Sequence, residues 1–79
     1  MSSQVTVRYW AGARRAAGLE SEQLEAATVA DLRAKLSARP ALTNVMTASS
    51  ILVDSVARGE DTPLHEGAVI DILPPFAGG

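Results

Sequence analysis

The residues best suited to chemistry stand at the end of the sequence, Leu73-Pro74-Pro75-Phe76-Ala77-Gly78-Gly79. A carboxylate at Gly79 is a group that another enzyme can activate. Gly78 and Gly79 carry no β-carbon, so they can thread a channel that excludes any side chain. At an average glycine usage of about 7%, two terminal glycines arise by chance in roughly 0.5% of chains. Pro74 and Pro75 fix φ and stiffen the exit from the segment before them. From Pro74 onward the extended arm reaches up to about 20 Å. A thin, stiffened arm of this kind suits delivery of its tip into another protein's active site.

No other set of residues competes. His65 is the sole histidine and sits in Pro63-Leu64-His65-Glu66-Gly67, which reads as a turn; no nucleophile motif accompanies it, so it is expected to be a solvated turn residue. Glu60-Asp61 in a turn reads as two solvated carboxylates, and no metal site is expected. Arg14-Arg15 reads as the polar face of a short helix. There is no cysteine, which excludes disulfides, thiolate metal sites and a cysteine nucleophile. Neither a phosphate-binding loop nor a dinucleotide fingerprint is present.

Composition narrows the partners. Seventy-nine residues make one small domain, with 47% hydrophobic and 20% charged residues, the balance of a globular chain. The net charge is −2 and the seven basic residues are scattered, so nucleic acid is not an expected partner. No apolar run approaches a membrane span, and the first residues lack the features of a signal peptide. A cytoplasmic location is the expectation.

The elements that must position the tail follow from local pattern. Gln4 to Trp10 alternates as a strand, with Val5, Val7 and Tyr9 on one face and Thr6, Arg8 and Trp10 on the other. Gly12 to Gly18 suits a short helix with a glycine stop, and Glu20 to Ala26 a weaker strand. Thr28 caps a longer helix, with Asp31 as its reciprocal partner. Val29, Leu32 and Leu36 recur on one side of that helix, and Pro40 predicts its end at Arg39. Leu42, Val45 and Met46 suit one further helical turn. Ile51 to Val53 reads as a strand, a short one follows near Val56, and Ala68 to Leu73 is a last strand interrupted by Asp71. The order predicts an α+β domain over residues 1–73, one main helix covering one face of a sheet, with a projecting tail at 74–79.

The chain resembles the ubiquitin-like sulfur carriers, and within them the small subunit of molybdopterin synthase. The resemblance is carried by the first strand and short helix (Val5 to Gly18), Val53-Asp54, Pro63-Leu64, Glu66-Gly67, and Ile72 through Gly79. The Gly-Gly end is shared by the whole carrier superfamily, and the Pro-Pro-hydrophobic-X-Gly-Gly ending is more typical of the molybdopterin branch than of the thiamine carriers. Asp54 stands where the family often has asparagine, and Glu22, Gln23 and Glu25 make the second strand unusually polar. The resemblance implies a β-grasp fold with the first and last strands parallel at the centre of a mixed sheet. It also implies the chemistry. An activating enzyme joins the terminal carboxylate to AMP from ATP, and a sulfur donor displaces AMP to leave a thiocarboxylate on Gly79, with Gly78 giving clearance. The synthase large subunit then receives the tail, and the sulfur passes to a pterin precursor. This chain would be a non-catalytic subunit binding no cofactor of its own.

Sulfur carriage for thiamine or cysteine biosynthesis, and protein modification through Gly79, share the same tail and stay open at this point. Trp10 and Phe76, with Pro74 and Pro75, are the expected partner-binding surface. If Val5, Val7 and Tyr9 face the core, Trp10 faces outward close to where the tail leaves.

Overall fold

The computed structural model describes residues 2–75. Alternation makes Ser3–Tyr9 the strand β1, and its inward residues Val5, Val7 and Tyr9 are buried. A short helix α1, Ala11–Ala17, follows and stops at Gly18, whose φ of 73° is the left-handed conformation that glycine adopts without strain. Strand β2, Ser21–Ala26, returns antiparallel to β1, pairing Val5 with Leu24 and Val7 with Glu22.

The main helix α2, Val29–Ser37, begins as its sequence predicts. The Asp31 amide donates to Thr28 Oγ1 at 3.1 Å, while the Asp31 carboxylate accepts from the Ala27 amide at 2.9 Å, one residue before the usual site of a capping box. Val29, Leu32 and Leu36 are buried against the sheet. The helix ends at Ser37, two residues short of the expected Arg39, because Pro40 acts through more than its neighbour. The Arg39 amide bonds back to Leu36 O in a tighter closing turn, and the Arg39 side chain turns away to Glu22. The expected further turn is a helix, α3, Thr43–Ala48, which buries Met46 while Leu42 is buried just before it.

Strands β3, Ser50–Val53, and β4, Val56–Ala57, form a hairpin, and β5, Val69–Leu73, completes the sheet in the order β2-β1-β5-β3-β4. β1 and β5 are parallel, Tyr9 opposite Ile72, and β3 and β5 antiparallel. The expected α+β class and the central parallel pair are therefore present. One expectation fails. Asp71 does not interrupt β5, because it pairs with Arg8 on one side and Leu52 on the other and its carboxylate is fully bonded.

Candidate functional site

The site is the end of the sheet from which the tail departs. The parallel register sets Tyr9 beside Ile72, and the Trp10 amide donates to Ile72 O at 3.3 Å. The last residue of β1 and the last of β5 thus reach the same edge, where β5 runs into Pro74 and Pro75. Pro74 is half-buried and Pro75 exposed. Phe76, Gly78 and Gly79 lie outside the described residues.

Trp10 is 40% exposed, as the strand pattern predicts, but it is not free. Its indole Nε1 donates to Asp71 Oδ1 at 2.9 Å. Arg8, two residues back on the same face, donates from Nε to Oδ1 at 2.7 Å and from Nη2 to Oδ2 at 2.9 Å, and its guanidinium lies 5.6 Å from the centre of the indole ring. Both Asp71 oxygens are satisfied, and the Arg8 guanidinium holds the carboxyl below its ordinary range, with the indole N–H adding to the effect against the opposing cost of burial. Sequence reading missed Arg8 and Asp71 as site residues. Their signal was available: the alternation that turns Trp10 outward also turns Arg8 outward, and a carboxylate in the middle of an apolar strand requires a cation beside it.

Two recesses flank this edge. A cleft of about 150 Å³ runs beside Trp10 and Arg8, with Arg14 and Glu20 on its far wall. On the helix side, a groove of about 420 Å³ has Ala11, Gly12 and Arg15 of α1, Val45 and Ala48 of α3, and Pro74 and Pro75 as its walls. Arg14 and Arg15 form no ion pair among the described residues, in keeping with the solvated helix face expected of them. Trp10 thus lines the first recess and Pro74 and Pro75 the second, and the groove adds a helix-side surface that the sequence did not indicate.

The remaining candidates stand elsewhere. Glu60 pairs with Arg33 at 3.0 Å. His65, exposed in its turn as expected, nonetheless contacts Asp54. No group of three or more potential metal ligands occurs among the described residues, and no helix there is long and apolar enough to cross a membrane.

The model of the ThiS family matches residues 7–79. No curated protein matches. Three solved structures are similar over nearly the whole chain. Small archaeal modifier protein 1 from Methanosarcina acetivorans is 28% identical, with a TM-score of 0.88 over 100% of this chain and 99% of that one. The putative molybdopterin converting factor subunit 1 from Pyrococcus furiosus is 27% identical, with a TM-score of 0.82 over 94% and 99%. A chain from the complex of subunits 1 and 2 of molybdopterin-converting factor from Helicobacter pylori is 28% identical, with a TM-score of 0.78 over 96% and 99%. The architecture is the β-grasp of ubiquitin-like proteins.

Proposed function

Since the chain belongs to the ThiS family, we propose that it is the sulfur carrier of molybdopterin synthesis, bearing a thiocarboxylate on Gly79. The observation that carries this reading is the run Pro74-Pro75-Phe76-Ala77-Gly78-Gly79 placed directly after the central parallel strand. A carboxylate is a poor electrophile. An adenylating partner using ATP converts it into an acyl-adenylate and releases pyrophosphate, and sulfur delivered at the sulfide level then displaces AMP to leave the thiocarboxylate. The carrier supplies the arm and a docking surface, and acids, bases and nucleotide ligands belong to its partners. Gly78 keeps the arm narrow where it enters the large subunit's pocket. Trp10, Pro74, Pro75 and Phe76 form the surface that seats the large subunit. The Helicobacter pylori complex of two converting-factor subunits supports a partner of this kind.

A second reading has its own support. The similarity to small archaeal modifier protein 1 favours attachment of Gly79 to lysines of target proteins. Both begin with the acyl-adenylate and diverge at the nucleophile, sulfur or amine. Intact mass of the protein purified from its own host separates them. Replacement of one oxygen by sulfur at the terminus is the expected result, whereas isopeptide adducts without that replacement would overturn the carrier reading.

A further inference from the structure

β3 turns into β4 through Asp54 and Ser55, both with left-handed backbone, at φ 49° and 72°. This is the geometry of a two-residue hairpin loop, and aspartate tolerates it because its short side chain bonds locally. Here Asp54 bonds to the start of β5. Its amide donates to Val69 O at 2.8 Å, and its Oδ1 accepts from the Val69 amide at 3.0 Å. The other oxygen, Oδ2, meets His65 Nε2 at 2.6 Å, while His65 Nδ1 lies 2.9 Å from the carbonyl oxygen of Glu66.

Both ring nitrogens therefore face atoms that only accept. A neutral imidazole has one N–H and one lone pair, so it satisfies one of these contacts and opposes the other. Only the imidazolium donates to both. We infer that His65 is a proton-operated clamp: in its charged form it donates to Asp54 across the two turns and to the Glu66 carbonyl within its own turn, and deprotonation takes away one of these bonds and the charge that strengthens the tie to Asp54. The clamp braces the point where β5 enters the sheet, the strand whose far end leads into the tail.

The charged group facing the ring is Asp54. The Glu66 carboxylate is turned away and accepts from the Gln4 amide at 2.8 Å. No other charged side chain among the described residues bonds the ring. In agreement with the geometry, Asp54 first and the Glu66 carbonyl second move the imidazole upward from its ordinary value. Because the folded value is raised, the clamp's contribution is complete below the unfolded imidazole value of about 6.5 and disappears as pH rises through the folded one. Both side chains are largely open to water, so the effect belongs to the two turns and not to global stability.

As the sole histidine, His65 gives a single imidazole Cε1–H resonance, which can be followed through a pH titration of the full chain by NMR. Its midpoint should lie above the ordinary value of about 6.5, and the amides of Ser55 and Glu66 should shift with the same midpoint. Asp54→Asn retains the left-handed turn and the acceptor for Val69 but removes the charge and sets an amide N–H, in place of an acceptor, against Nε2, which favours the neutral ring; the midpoint should fall by at least about half a pH unit. A midpoint equal in both proteins would overturn the clamp. So would one at or below the ordinary value, or turn amides that ignore the titration.

Discussion

On the helix-covered face of the sheet, Val7 and Tyr9 of β1 and Ile70 and Ile72 of β5 are buried in one apolar cluster with Leu32 and Leu36. On the opposite face the same two strands present Arg8 and Asp71, joined by two hydrogen bonds and topped by Trp10. One register of parallel pairing serves both faces, since successive residues alternate. The covered face holds the fold through area removed from water, a non-directional effect in which shape matters. Among the described residues, no helix covers the opposite face to exclude water. That face relies on directional bonds around one carboxylate, and these hold an aromatic ring and a guanidinium in place beside the tail. The covered side thus carries the apolar core, and the polar cluster around Trp10 stands on the other side of the same layer.

Mutations that act on one face alone test this division. Leu36→Ala should have the largest effect, about 2–5 kcal/mol of unfolding free energy, which for a domain this small is a large part of the total. A loss below about 1 kcal/mol in chemical denaturation would show that the covered face does not carry the fold.

Asp71→Ala comes next. It leaves Arg8, half in water, and the indole N–H without their acceptor, and should cost about 1–2 kcal/mol, less than a sealed ion pair because of that exposure. The same carboxylate gives the comparison a pH dependence. Its folded value is lowered by Arg8, as that of Glu22 is lowered by Arg39. Their contributions are present above the unfolded carboxyl values of about 4 and are lost as pH falls through the folded ones. Asp71→Ala should therefore flatten the fall in stability between pH 5 and pH 2, and an unchanged acid limb in thermal melts would argue against the pairing.

Trp10→Ala should cost about 1 kcal/mol of stability, one hydrogen bond to a satisfied carboxylate. Under the proposed function, its larger effect should be on affinity for a molybdopterin synthase large subunit, more than about 1 kcal/mol by calorimetric titration. Unaltered affinity would remove Trp10 from the docking surface. The smallest structural effect belongs to Gly78→Val, expected to change stability by less than about 0.5 kcal/mol while abolishing sulfur transfer. Full activity of that variant with its partners would refute the threading of the tail.

Much of this was legible before the fold was known, wherever the controlling interaction is local. The inward set Val5, Val7 and Tyr9, the Thr28 cap, the Gly18 stop and the helical spacing of Val29, Leu32 and Leu36 depend on residues within a few positions of one another. The tail's composition is of the same kind, since stiff prolines and side-chain-free glycines keep their properties in any fold. Where the outcome depended on distant residues, the sequence was silent or misleading. Asp71 looked like a break in β5 because its partners Arg8 and Trp10 stand 63 and 61 positions away. Glu22 looked like a merely polar residue in a weak strand, yet it accepts from Tyr9 Oη at 2.6 Å and from Arg39. His65 looked solvated, and only the meeting of two turns sets Asp54 against it. Local periodicity reports which way a side chain points, because backbone geometry repeats every two or 3.6 residues. It carries no information about what is waiting there. For Asp71 that was decided by the parallel pairing of β1 with β5, and for Glu22 and His65 by other meetings of distant segments, all of which form only when the helices and hairpin close around a common core.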